Sequence, residues 1–361
     1  IAVIQTQGLD SRGIEEAPSS TVVRGPRDGF VESLDVNVSL VRRRIRSESV
    51  RVDKLVVGSV SHTHVAVLYI HDRAKPEMVE EVMKRIGKVN IDGVLESQYI
   101  EELIKDSPRS FFPTVYSTER PDDVAGILME GRIAILVDGS PFALALPCTL
   151  AHLLKTTEDL YLAYPVATFI RWLRYVGFLM NLLLPSVYVG TLTFHPEMVP
   201  PQLLSSILTA REGVPFPVLM ETLLMELTFE VLREASVRMP RSIGSAISIV
   251  GAVVIGESAV QAGIISSPAI IVVAATAIAS FTIPSISLSG TVRILRFGMV
   301  LLASMFGLYG IMIGLFLLGI HLSSIKSLGT PYLAPFAPFR KKEFLKMVFR
   351  IPWFALNKNR K

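Results

Sequence analysis

Only one cysteine, Cys148, occurs in the 361 residues. No disulfide can form within the chain, and the small disulfide-stapled classes are excluded. Charge is also scarce: 19% of residues are charged against 50% hydrophobic, the reverse of the composition that keeps chains disordered. The mean hydropathy of +0.48 is too high for an ordinary soluble chain. There is no collagen-like period and no repeat of solenoid length. There is also no P-loop, no G-x-S-x-G and no H-E-x-x-H. No set of nucleophile, base and oxyanion donors can be assembled, so neither an enzyme nor a bound cofactor or metal is expected. The chain opens at Ile1 without a charged-then-apolar leader, and it is read as missing its true N-terminus.

What the sequence does have is long uncharged runs. From Ile243 to Ser289 the one formal charge is Glu257, and about 20 apolar residues suffice to cross the hydrocarbon. Two spans, near 243–265 and 268–289, fit there around the turn Ser266-Ser267-Pro268. Phe297 to Ile320 gives a third span, near 297–320. Tyr175 to Phe194 gives a fourth, near 175–194, although it carries Asn181 and Pro185. Lys326 to Lys361 holds nine Lys/Arg against the single acid Glu343, a tail suited to phosphates, lipid or nucleic acid. Arg171, Arg174 and this tail fall on one side by the positive-inside rule, while Arg211, Arg233, Arg238 and Arg241 then fall against it. The crossing count around 195–242 stays open.

The part before residue 168 mixes charges and short apolar runs in the manner of a water-soluble α/β domain. Asp28 is expected to cap a helix reaching about Arg46. Leu55–Ser59 and Val65–Ile70 read as strands, and Pro76–Lys88 as a helix with Met78, Val79, Val82 and Ile86 on its inner face. Ile133–Val137 and Phe142–Leu146 read as a hairpin joined by Asp138-Gly139.

Several constellations carry both a functional and a bland reading. Thr222, Glu226, Glu230 and Glu234 recur every fourth position, so a helix near 218–234 carries them as one stripe. That stripe is either an acidic vestibule beside a cation pathway or the solvated face of an amphipathic helix at the bilayer surface. Glu257 and Gln261 share a face at expected membrane depth, where ionisable groups are costly. Beside them Ser245, Ser248, Gly251, Ala252, Gly256 and Ala259 form a small-residue face, suited to close packing or to a narrow pore wall. Ile249 lies one turn after Ser245, where a ring of apolar side chains can block ions by dewetting. Gly310 and Gly314, with Gly307 ahead of them, make a GxxxG helix contact. Pro185 and Pro284 are expected kinks. His62 and His64 alternate on a strand, but no Cys or acid completes a metal set. Gly25-Pro26-Arg27 and Arg42–Arg46 read as a turn before a helix and as a basic face.

Long motifs in one order carry a resemblance. Arg24-Gly-Pro-Arg-Asp-Gly-Phe-Val-Glu-Ser-Leu34 with Arg42-Arg-Arg-Ile-Arg46 comes first, then Ala134–Phe142, Arg233–Pro240, Gly256–Gly263 and Gly329–Phe336. Together they resemble the A subunit of the GerA-type nutrient germinant receptors of bacterial spores, over essentially the whole chain. The resemblance implies an integral protein of the spore inner membrane. It implies a soluble cytoplasmic α/β domain over 1–167, lacking the family's first N-terminal subdomain. A transmembrane helical region over 168–325 and a short basic cytoplasmic tail over 326–361 follow. It further implies a homo-oligomer whose membrane part conducts ions, with a transporter-like B subunit that binds the nutrient, a lipoprotein C subunit and membrane lipid as partners, and no nucleic acid. Joined to the residues above, it marks Ser245, Ser248, Ile249, Ala252, Gly256, Glu257 and Gln261 as the pore and gate, with Glu226, Glu230 and Glu234 as the vestibule. The competing reading is a non-conducting scaffold or transport-associated subunit of the same complex.

Overall fold

The computed structural model describes residues 13, 16, 17, 22–238 and 256–352. The chain divides into two compact units, one of residues 1–171 with 322–361 and one of residues 172–321. In the first unit helices cover both faces of a sheet of five strands. These strands are β1 (Val50–Val57), β2 (Thr63–Ile70), β3 (Tyr116–Thr118), β4 (Ile133–Val137) and β5 (Ala143–Leu146), in the antiparallel order β1-β2-β4-β5-β3. Val65 and Val67 of β2 with Ile133, Ile135 and Val137 of β4 face a core under the helices α2 (Pro76–Gly87) and α3 (Ser97–Ile104). The alternate residues Ala66, Leu68, Ala134 and Leu136 face Val38, Val41, Val124 and Leu128 of α1 (Leu34–Arg44) and α4 (Pro121–Met129). The expected hairpin is present, with Ile133 opposite Leu146.

Two local expectations are corrected. Asp28 does not cap α1: it accepts from Arg44, and the helix starts later, at Leu34. The cap comes from far along the chain, where Asp138 Oδ1 accepts the Leu34 N–H at 3.0 Å. A carboxylate there both satisfies an orphan donor and faces the positive end of the helix dipole. His62 lies in the turn before β2 with φ of 46°, so it does not share a strand face with His64.

The basic tail is not a separate appendage. Lys326–Ser327 (β6) and Thr330–Pro331 (β7) form a small hairpin in the first unit. Ser327 Oγ donates to the Thr114 carbonyl at 2.6 Å and accepts the Cys148 N–H at 2.9 Å. Leu328 joins the core beneath α2 and α3.

The second unit is helical. Among the described residues, two helices are long and apolar enough to cross a membrane by length and composition, Tyr164–Phe194 and Ile286–Ser324. The first (α6, following the short α5 Leu150–Leu153) runs unbroken through Pro185. Next come α7 (Pro201–Ala210), α8 (Val218–Arg238), α9 (Ser258–Gln261) and α10 (Ser267–Ser280), then α11 (Ile286–Ser324). In the first unit, α12 (Lys341–Val348) ends the order.

The expected spans differ in their breaks. The segment near 243–265 does not run through to its end as helix: α9 stops at Gln261, and Gly263 takes a left-handed φ of 65°. The span expected near 268–289 stops at Ser280, because Pro284 cannot donate and disfavours a helical residue before it. The span expected near 297–320 is broken by Gly307, whose φ of 60° and ψ of −139° are non-helical. Glycine alone adopts that conformation without strain. The chain folds back there into two arms, residues 286–306 and 308–324, about 31 Å and 26 Å of helix at 1.5 Å per residue. A methyl on Gly310 would press into the Leu302 carbonyl, and one on Gly314 would meet the Met299 thioether. The GxxxG contact is therefore made within this hairpin. Gly190 of α6 packs at the turn, where its Cβ position lies 3.3 Å from the Gly307 carbonyl carbon.

Candidate functional site

Buried charge is expensive in an apolar helical unit, so its position marks where a sequence has constraints beyond packing. On α8, Glu226 is 1% exposed and Glu230 is largely buried. Both turn toward the first arm of α11, where Arg293 and Arg296 stand one turn apart and share a face. Arg296 Nη2 lies 2.6 Å from Glu226 Oε2 and 3.2 Å from Glu230 Oε1. Arg293 Nη1 lies 3.0 Å from Glu230 Oε2. Arg296 Nη1 also donates to Asn181 Oδ1 of α6 at 2.8 Å. One guanidinium thus gathers three helices, using the planar fork that makes arginine suited to buried pairs. The Arg233 guanidinium sits 5.8 Å from the centre of the Phe281 ring, within cation–π range.

A second buried pair fixes the other end of α8. Glu221 is fully buried, pairs with Arg211, and accepts the N–H of Ser266, the N-cap of α10. A carboxylate at a helix N-terminus offsets the positive end of the dipole. Around these polar ties, Val189, Met225, Ala269, Val273 and Val300 form an apolar core.

The expected site residues are distributed as follows. The stripe Thr222–Glu226–Glu230–Glu234 is real on α8, but it is not an open acidic wall. Thr222 and Glu226 are buried, and Glu226 and Glu230 are answered by arginines. Glu234 is exposed and pairs with Arg238 at 2.7 Å. Only this last member of the stripe is solvated, whereas a helix lying on a bilayer surface would expose all four. Gly256 is partly exposed, and Glu257 and Gln261 are exposed, with Gln261 Nε2 donating to Glu257 Oε1 at 3.2 Å. Ser245, Ser248, Ile249 and Ala252 lie outside the described residues. Arg293, Arg296 and Asn181 are the members of the network that sequence reasoning did not join to the stripe. The available signal was two arginines three apart opening the apolar run at Phe297, which places them on one helix face.

Comparison with known proteins places the chain among germination proteins. The family profile described as Bacillus/Clostridium GerA spore germination protein matches residues 1–361. Spore germination protein KA of Bacillus subtilis (strain 168) is 47% identical over 353 residues, covering 98% of this chain and 65% of that protein. Spore germination protein GerLA of Bacillus cereus is 41% identical over 350 residues, covering 97% and 71%. The uncharacterized membrane protein YfkQ of Bacillus subtilis is 44% identical over 356 residues, covering 99% and 69%. The chain therefore spans about two thirds of the length of the curated relatives it matches. Among solved structures, the N-terminal domain of the A subunit of the Bacillus megaterium spore germinant receptor GerK3 is 47% identical, covers 33% of this chain and 94% of that chain, and gives a TM-score of 0.28. With a match over its whole length and relatives at these identities, this chain belongs to the GerA family of spore germination proteins.

Proposed function

We propose that the chain is the membrane-embedded part of a nutrient germinant receptor A subunit, and that copies of it assemble around an axis to conduct monovalent cations when germination begins. The observation that carries this reading is the Arg296–Glu226–Glu230 network, buried in a helical unit whose outward faces are apolar. Ile271, Ile278, Ile294, Met305, Met312 and Phe316 are all more than half exposed. A surface of this kind calls for lipid or partner helices to cover it. A charge network inside it has to be neutralised within the chain, and Arg293 and Arg296 do so.

The pathway in this proposal follows the run 243–265, whose one formal charge is Glu257, rather than the α8 stripe. Glu226 and Glu230 are held by arginines, so they offer little field to a passing ion. Glu257 is exposed and hydrogen-bonds the uncharged Gln261, so a ring of Glu257 carboxylates around an axis favours cations. Ser245, Ser248, Ile249, Ala252 and Gly256 form the narrow wall beside it, with Ile249 as the apolar gate. Binding of a nutrient on a B subunit shifts the closed-to-open equilibrium only by binding the two states unequally. The lipoprotein C subunit and the spore inner membrane complete this assignment.

Potassium efflux from vesicles containing the purified subunit tests it. Efflux that rises in Ile249→Ala and loses cation preference in Glu257→Gln supports the channel. An oligomer verified in the same vesicles that passes no ions in any form turns the weight to the scaffold reading.

A further inference from the structure

In the first unit a cleft of about 300 Å³ opens between α4, α5, the segment after α5, the start of α6 and the end of α12. Four cationic side chains line it: Lys155, Arg171, Lys346 and Arg350. Two acids share the lining, and neither serves as a free counter-ion. Asp123 accepts hydrogen bonds from the Tyr116 and Thr157 hydroxyls, and burial pushes its carboxyl above the usual range. Glu130 turns outward to Arg132, 3.1 Å away.

The cations differ in what they already hold. Arg171 is bound to the buried Asp159, its Nε 2.8 Å from Oδ2, and donates to the Lys346 carbonyl at 3.0 Å. Arg350 donates to the Leu160 carbonyl at 3.1 Å. Lys155 has no carboxylate at ion-pair distance among the described residues. Burial brings its ammonium down to about 8, with Arg171 and Arg132 adding repulsion against the opposing pull of Glu130 and Asp159. Beside it His152 also lines the cleft, with its Nε2 buried and without a hydrogen-bond partner among the described residues. Burial keeps that ring neutral, well below the ordinary histidine range. A half-buried lysine without a counter-ion and an unsatisfied buried imidazole nitrogen are both costly unless something binds them.

We infer that this cleft is a binding site for a phosphoryl group, with Lys155 as its primary cation and His152 Nε2 as a neutral donor. Arg171, fixed by Asp159, and Arg350 set the positive field around it, and Lys346 stands at the mouth. Oxygens of a phosphate accept several such donors at once, and charge-assisted bonds of this kind are the strong ones. The inference does not depend on the channel reading. The phosphoryl group comes either from free phosphate or from an anionic lipid headgroup.

The full chain in phosphatidylcholine nanodiscs is titrated with inorganic phosphate by calorimetry. Acylation of each lysine by acetic anhydride is followed in parallel by peptide mass spectrometry. Phosphate is expected to bind and to slow acylation of Lys155 but not of exposed Lys341. Loss of one hydrogen bond between charged groups weakens that binding about tenfold or more in Lys155→Met, whereas Lys341→Met binds as the parent does. If phosphatidylglycerol nanodiscs protect Lys155 without added phosphate, the headgroup is the source, and the site stands. Lys155 acylation unmoved by phosphate and by phosphatidylglycerol overturns the inference, as does calorimetry unchanged by Lys155→Met.

Discussion

Arg296 of α11 and Glu226 of α8 approach to 2.6 Å with both side chains 1% exposed, and Glu230 completes the guanidinium's neutralisation from one turn further along α8. Removing one member of a buried pair costs more than the pair is worth, because the partner is left charged without compensation. Arg296→Met is therefore expected to destabilise the helical unit by about 3–5 kcal/mol, leaving Glu226 and Asn181 Oδ1 unanswered while Arg293 still holds Glu230. Combining Arg296→Met with Glu226→Met, which leaves the Arg293–Glu230 pair in place, recovers most of the loss. Thermal unfolding of the single and combined variants in detergent measures it, and no recovery in the combined variant would show that the arginine acts through packing instead.

The network also shows which parts of this protein can be read in the sequence. The stripe on α8 is visible because its spacing is a local property of one helix. Its partner is not, since a contact between α8 and α11 depends on how distant elements pack. The β4–β5 hairpin is legible for the same local reason: Asp138-Gly139 is turn chemistry between two apolar runs. The first residues of β1 are missed because Arg51, Asp53 and Lys54 break the apolar pattern. Charges of that kind suit an edge strand and protect it from further pairing.

Span composition is legible while span continuity is not. The run 297–320 is apolar throughout, and nothing in its composition distinguishes a helix that continues from one that reverses at Gly307. The positive φ at that residue is a tertiary outcome, stabilised by Met299–Ala303 packing against Gly310 and Gly314.

That packing predicts a graded response to added methyl groups. Gly310→Ala places a Cβ into the Leu302 carbonyl and must splay the two arms, whereas Gly319→Ala meets nothing within 4 Å. Overpacking of this kind costs about 1–3 kcal/mol, while alanine at the open helical site is neutral or favourable by up to about 1 kcal/mol. Melting temperatures of the two variants should move in opposite directions. Equal shifts would mean that the arms do not touch in solution.

Cys148 provides a probe of the first unit. It is fully buried beside Ser327, and burial pushes its thiol up to about 12. A thiol that is neither exposed nor ionised is inert. N-ethylmaleimide at neutral pH is expected to label it only as fast as the unit opens, so the labelling rate should rise in denaturant together with the loss of tertiary signal. Rapid labelling without denaturant would contradict the burial.

Ser327 ties the segment after α11 to that same core. Its hydroxyl donates to Thr114 and accepts from Cys148, so Ser327→Ala leaves one buried carbonyl and one buried N–H without this partner. An unmade buried bond costs about 1–3 kcal/mol per group. Limited proteolysis should then cut near residues 325–331 faster than in the parent chain, and Cys148 labelling should accelerate in step. Faster cutting with unchanged labelling would place the effect in the hairpin alone.

Lys155 gives a pH signature with a definite sign. Its ammonium titrates at about 8 in the folded chain against 10.5 for an unperturbed lysine. Between those two values the unfolded chain binds the extra proton, so this group's contribution to stability rises with pH across the window and is unfavourable below it. The tyrosines Tyr116 and Tyr332 and the Cys148 thiol are shifted upward by burial, and their contribution runs the other way. The informative quantity is therefore the difference between the parent and Lys155→Met, measured in phosphate-free buffer. The variant should be more stable than the parent at pH 7, and the gap should narrow as the pH passes 8 and approaches 10.5. Phosphate should narrow the gap at pH 7 by stabilising the parent more than the weaker-binding variant, since a ligand that binds only the folded state adds stability by mass action. A gap that is constant with pH would show that Lys155 is not held in a desolvated cleft.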